Sequence, residues 1–235
     1  MLLTPSSSPR PATRQRAGRA AILQSIRAAA ITEFSQQGFK GATTQSIAER
    51  AGLSKPQLHY YIASKEELYQ DLLQDIVEHW MAAFAFDGAD TDVRTVLTRY
   101  VHKKLDFALD QPELSRIFTR EILDGGPNLG HYWPGALRHI QMKIDRIEQW
   151  IAQGAIYPTD ARLLLMHIWA MTQHYADYET QVRVVLGQPD HEPLDRTPIA
   201  EALTALVLRG VGLEPLPPCP RPLSPSTAPV AEAAA

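Results

Sequence analysis

Two helical segments too short to stand alone, separated by a single glycine turn, constrain this chain more than any other feature. From Thr43 to Ile62 it reads TTQSIAERAGLSKPQLHYYI. Ile47 and Ala48 mark an apolar turn before Gly52, and Leu58 and Ile62 mark another after it. Helices of under about 12 residues are marginal in water, so such pieces need caps and a neighbour to pack on. The caps are present. The hydroxyl of Thr43 or Thr44 can open the first piece, and Gly52 stands where a helix must stop. Ser54 with Gln57 three residues on makes a capping box, with Pro56 tolerated in the first turn. Ser64 with Glu67 makes a second capping box, opening a long helix from Lys65 to about Phe86. Upstream, Ile22, Ile26, Ala29, Ala30 and Phe34 form one stripe of a helix from about Arg19 to Gln37, ended by Gly38. Together these elements predict a three-helix helix-turn-helix unit over residues 19–65.

The core of that unit consumes Ile47, Ala48, Ala51, Leu53, Leu58 and Ile62. The third helix is left with an outward face of Lys55, Pro56, Gln57, His59, Tyr60 and Tyr61. A donor-rich face at the start of a helix is suited to the major groove of duplex DNA. Charge agrees. The net charge of −3 conceals nine basic against two acidic residues in the first 65, and fourteen against twenty-four in the rest. A basic head on an acidic body points the head at a polyanion.

The run AAAITEFSQQGFKGATTQSIAERAGLSKPQLHYYIASKEELY resembles the TetR family of bacterial repressors. The resemblance rests on Phe34, Gly38, Phe39 and Gly41, the Thr43-Thr44 pair, Ile47-Ala48, Ala51-Gly52, and Ser64-Lys65 followed by Leu68. It implies that Thr44 and Gln45 meet the phosphate backbone, that Lys55, Pro56, Gln57 and His59 meet bases, and that Tyr60, Tyr61 and Lys65 grip phosphates. His59 and Ile62 stand where members of the family often carry Tyr and Phe. The resemblance also implies a homodimer on a palindromic double-stranded DNA operator. Geometry supports this, because one short recognition helix reads few base pairs and two half-sites are needed. Arg16 and Arg19 would add salt-sensitive phosphate contacts.

The remainder reads as all-α, with no alternating β-branched runs and so no hairpin signal. Expected helices run from Thr91 to Leu109, through DQPELSRIFTREIL, from Gly135 to Gly154, from Asp160 to about Val185, and from Thr197 to Val211. That makes about nine helices in all. The loop DGGPNLGHYWPG is of the kind that flanks a pocket. Residues 1–18 are expected to be a disordered arm, 66–213 an effector-binding and dimerisation domain, and 214–235 a Pro-rich flexible tail. The single cysteine, Cys219, excludes a disulfide framework and a Cys-based zinc site. There is no apolar run of about 20 residues and no apolar segment behind a basic start, so neither a membrane span nor a secretory signal is expected. A cytoplasmic location follows as the expectation.

In HIWAMTQHYADYETQV, Trp169, Thr172, Gln173 and Ala176 recur at i, i+3, i+4 and i+7. A Gln offers both a donor and an acceptor, and a Trp offers a stacking face. The pair suits a small heterocycle with adjacent C=O and N–H groups. A core or interface helix with Gln173 bonded internally is the equally open alternative. This segment, with LDQPELSRIFTREIL, HYYIASKEELY and IEQWIAQGAI, is similar to the branch of the TetR family that regulates pyrimidine utilisation. That resemblance implies a pocket for a free pyrimidine such as uracil, whose binding releases DNA. Trp169 and Gln173 are the ligand contacts it implies, with Phe118, Glu121, Tyr175 and Asp177 as further candidates by nearness.

Other classes are less well served. His167, His174 and Asp177 share a helical face, but no further His or Cys is placed to complete a metal site. Catalysis by Glu121 or Asp124 with His131 lacks a nucleotide loop or a nucleophile motif. No cofactor, metal or enzymatic activity is expected. A DNA-binding architectural protein without a small ligand is the third possibility, and it requires that no cavity lie beside Gln173.

Overall fold

A computed structural model describes residues 11–83, 86, 92–189 and 192–213, with the side chains of 11–17 and Ala82 left aside. The expected Pro-rich tail with Cys219 lies outside the described residues, as do the first ten residues of the arm. Among the described residues the structure is helical throughout. The helices are α1 (Pro11–Gly41), α2 (Thr44–Arg50), α3 (Lys55–Tyr61), α4 (Lys65–Ala83), α5 (Val93–Asp110), α6 (Pro112–Leu123), α7 (Trp133–Ala152), α8 (Ala161–Asp177), α9 (Glu179–Leu186) and α10 (Arg196–Gly210). They form two units, residues 1–74 and 75–235, with the division inside α4 instead of at Lys65. α1 begins at Pro11, ahead of the expected start at Arg19. PATRQRA is rich in helix formers behind a proline that suits a first turn.

In the first unit α1 kinks at Gly38, whose φ of 68° is left-handed, a conformation open to glycine at no steric cost. Thr43 caps α2 through a box whose partner is Ser46, and Ser54 caps α3 with Gln57 as expected. Ile26, Ala30, Phe34, Ile47, Ala48 and Leu58 are buried together with Tyr69, Leu72 and Leu73 of α4. Arg50 reaches back to the buried Glu33 at 3.3 Å, tying α2 to α1. One cation of the basic head is therefore paired with an acid of its own unit.

In the second unit α5 lies against α8 and α10, and α6 and α7 also pack on α8. The core joins Leu97, Tyr100 and Leu105 of α5, Ile147 and Trp150 of α7, Leu165 and Ile168 of α8, and Leu203 and Leu208 of α10. The single helix expected from Asp160 to Val185 is two. The chain leaves helical geometry at Tyr178, with φ −115° and ψ 30°. Its apolar period runs through this point, but tertiary contacts end the helix. Arg116 Nη1 donates to Ala176 O at 3.1 Å and to Glu179 Oε2 at 3.1 Å, drawing the end of α8 and the start of α9 to α6. α7 likewise begins at Trp133, before the expected Gly135, with Pro134 in its first turn.

Leu105 is fully buried at the α5 contact with α8 and α10. Leu105→Ala should cost about 2–5 kcal/mol, from forfeited transfer energy plus the cavity left behind, read as a lower urea midpoint.

Candidate nucleic-acid interface and effector cavity

The α3 surface takes shape around one buried anchor. Leu58 has no exposure, while Lys55, Pro56, Gln57, His59 and Tyr60 are all exposed and Tyr61 is half-buried. The recognition face therefore points outward as the sequence requires. Its side chains are not equally free. Gln57 Oε1 accepts from Ser54 N at 2.8 Å and from Ser54 Oγ at 2.9 Å. Only the Gln57 amide N–H₂ remains for a partner. On α2, Gln45 Nε2 donates to Glu49 Oε1 at 2.6 Å, and Thr44 is half-buried. Tyr60 and Tyr61 meet edge-on at 5.2 Å, and the Arg19 guanidinium lies 5.8 and 5.4 Å from their ring centres. Arg19 is thus placed beside the third helix, where cation–π attraction holds the two rings.

Lys65 departs from its expected place as a phosphate grip. Its ammonium donates to Phe39 O at 2.8 Å and Ala42 O at 3.0 Å, and lies 4.4 Å above the Phe39 ring. The kinked end of α1 leaves carbonyls without helical partners, and a cation is the natural group to satisfy them. Two of the three ammonium donors are spent this way.

The second unit holds a half-open cavity of about 810 Å³. Most of its wall is apolar, including Val77, Met81, Ile122, Leu129, Ala136, Ile140 and Met166. Four of the six expected effector residues line it: Phe118, Trp169, Gln173 and Asp177. Trp169 Nε1 donates to Tyr100 Oη at 2.6 Å, which fixes the indole. Burial pushes the Tyr100 phenol well above its ordinary range, only partly opposed by the bond from Trp169. Gln173 lines the cavity with no hydrogen-bond partner for its amide among the described residues. Asp177 Oδ1 accepts from Ser115 Oγ at 2.9 Å and Oδ2 from Thr119 Oγ1 at 2.7 Å, both from α6.

Two expected contacts lie elsewhere. Glu121 is buried but outside the wall. Its Oε1 accepts from Asn128 N at 2.6 Å and Oε2 from Asn128 Nδ2 at 3.2 Å. It fastens the α6–α7 loop, from which Leu129 and Tyr132 reach the cavity. Tyr175 packs against the core, and burial raises its phenol pKa. Thr172, expected on the Trp169–Gln173 face, turns into the core and donates to Ile168 O at 2.8 Å. His167 is exposed, and Asp124 caps the end of α6.

The sequence pattern alone did not single out Lys104 and Lys143, which line the cavity although each is nearly buried. The signal was available. Tyr100, Lys104 and Ala108 fall four apart on the apolar stripe of α5, so a lysine interrupts a core pattern. Lys104 Nζ lies 4.7 Å above the Trp80 ring. Burial first, then repulsion from Lys143, pull its pKa down to about 7 against the attraction of Asp177.

A capped helix-turn-helix carrying an exposed recognition helix, on a chain whose second helical unit holds a largely apolar cavity, defines a helix-turn-helix regulator. Residues 26–72 match the family described as bacterial regulatory proteins, tetR family, and residues 73–214 match the family described as YcdC-like protein, C-terminal region. The chain belongs to the TetR family and is a DNA-binding transcriptional regulator. It is 35% identical over 189 residues to the HTH-type transcriptional regulator RutR of Escherichia coli K12, covering 80% of this chain and 89% of that protein. The ketosteroid regulator KstR2 of Mycobacterium tuberculosis shares its fold, with TM-score 0.66, 20% identity, and 79% and 92% of the two chains covered. So does AibR, solved with isovaleryl coenzyme A and operator DNA, with TM-score 0.61, 14% identity, and 79% and 97% covered. No described helix is long and apolar enough to cross a membrane.

The Lys104 shift has a pH signature. The folded chain loses this proton near pH 7, the unfolded chain near its ordinary 10.5. Between the two, the unfolded state binds more protons, so native stability from this group rises with pH, by up to about 1.4 kcal/mol per unit. Urea unfolding of wild type and Lys104→Met at pH 7 and 9 should show the wild type gaining on the variant as pH rises.

Proposed function

We propose that this regulator is a ligand-responsive repressor. It binds a palindromic operator as a homodimer and is released when a small effector, a pyrimidine such as uracil, enters the cavity of the second unit. The observation that carries the effector is Gln173. A half-buried amide without a protein partner keeps its donor and its acceptor for a ligand. It stands one turn from Trp169, whose N–H is already tied to Tyr100, leaving the indole to offer its face. A donor–acceptor edge beside a stacking surface is what a pyrimidine-dione needs, and the resemblance to the pyrimidine-utilisation branch of the family implies the same ligand. Phe118 and Asp177 complete the proposed contacts.

For DNA, Lys55, Pro56, Gln57 through its amide nitrogen, and His59 would face base edges. Thr44, Gln45, Tyr60 and Tyr61 would meet phosphates, with any part played by Lys65 resting on its remaining donor. The apolar side chains that α8, α9 and α10 leave exposed, Leu163, Val184, Val185 and Leu206 among them, support pairing with a second copy. A cytoplasmic location goes with this role. Effector and operator would be coupled reciprocally, each weakening the other.

One observation favours a second reading. At about 30 Å³ per non-hydrogen atom, as in water, a pyrimidine-dione fills on the order of 200 Å³, well below the cavity's 810 Å³. A larger or unrelated effector would use the remainder.

Fluorescence anisotropy on an operator selected from a random duplex library tests both halves. Lys55→Ala and His59→Ala should each weaken specific binding by roughly 1–3 kcal/mol for every base edge no longer read. No specific DNA binding at low salt would sink the repressor reading. Gln173→Ala should keep operator affinity while losing the response to uracil. If that variant loses both, Gln173 is structural.

A further inference from the structure

The capping box that opens α3 leaves Gln57 with half of an amide. Its Oε1 accepts from Ser54 N at 2.8 Å and from Ser54 Oγ at 2.9 Å. A carboxamide oxygen has two acceptor positions, and both are taken. The orientation follows from the partner, since a backbone N–H can only donate and must meet the oxygen, not the N–H₂. Gln57 is nonetheless exposed, with its two amide N–H donors left over. Lys55 beside it is also exposed and is held by no hydrogen bond or ion pair among the described residues. An ammonium has three donors and no acceptor. The side chains of Lys55, Pro56 and Gln57 thus offer a duplex donors only.

This decides which bases can be read. A free glutamine pairs with adenine through two bonds, its oxygen accepting from N6 and its nitrogen donating to N7. Gln57 cannot make the first without giving up its cap, which would leave the Ser54 N–H without its partner. In the major groove guanine presents two acceptors, N7 and O6, and thymine presents O4, whereas adenine N6 and cytosine N4 need an acceptor. We propose that Gln57 is a specificity-determining residue that reads acceptor atoms alone, so that the base it meets in each half-site is guanine or thymine and not adenine. This rests on the reading that α3 faces base edges, and it names which edges. Lys55 reinforces the choice, because an ammonium reads guanine N7 and O6 by the same rule.

The test uses the full-length protein and the operator selected from a random duplex library. Affinities for every base pair at each half-site position are compared between wild type and Gln57→Ala. The position whose preference Gln57→Ala flattens is the one Gln57 reads, and there the wrong pair should cost wild type about tenfold more than the variant. Deleting the exocyclic amino group at that pair, with purine for adenine or pyrimidinone for cytosine, then separates donors from acceptors. Wild type and Gln57→Ala should lose equally, because defects of the duplex itself cancel between them. A larger loss in wild type puts the base N–H on the Gln57 oxygen and overturns the proposal. Gln57→Glu can still close the capping box but presents an acceptor where the N–H₂ was. It should lose the guanine or thymine preference, and an unchanged preference would also overturn the proposal. If Gln57→Ala flattens no position while Lys55→Ala and His59→Ala do, the donor-only reading falls and α3 remains the reading helix. If none of the three alters any base preference, α3 does not read bases and both readings fall.

Discussion

The packing of α8 against five other helices is the constraint on which the second unit depends. α5, α6, α7, α9 and α10 all touch this one helix. Leu165, Ile168, Thr172 and Ala176 fill one flank with almost no exposure. Interiors pack to the density of organic crystals, so space opens only where the surrounding helices diverge. Along the other flank they do, and Trp169, Gln173 and Asp177 face the gap. The same helix thus supplies core and binding wall, and neither can change without disturbing the other.

Polar groups then decide what the gap can hold. Tyr100 takes the N–H of Trp169, Ser115 and Thr119 fix Asp177, and Asn128 takes both oxygens of Glu121. Each bond removes freedom from the wall, or from the loop that builds it, before any ligand arrives. Preorganisation of this kind lowers the entropy cost of binding. The first unit follows the same rule. α2 and α3, of seven residues each, are held by side-chain caps and by Leu58, so that the exposed face of α3 is rigid although the helix is short.

Much of this was legible in the chain. Gly38, Gly52, Ser54 and Gln57 act through local backbone chemistry, and local chemistry can be read in order. The amphipathic periods marked Ile26, Phe34, Ile47 and Leu58 as core, because a helix has one period and one buried stripe. Trp169 and Gln173 stood out because an indole and an amide interrupt such a stripe. Lys104 interrupts one in the same way.

What local chemistry could not reveal was where long side chains go. Lys65 turns to carbonyls twenty-three and twenty-six residues away, Glu121 folds onto its own loop, and the α8–α9 break depends on an arginine some sixty residues earlier. The amino-acid sequence alone determined the helical class, the capped reading head and its outward polar face, since these follow from spacing and from bonds within a few residues. Only the tertiary structure decided which buried polar groups meet one another and which meet a cavity, because that choice depends on helices far apart in the chain competing for the same donors and the same space.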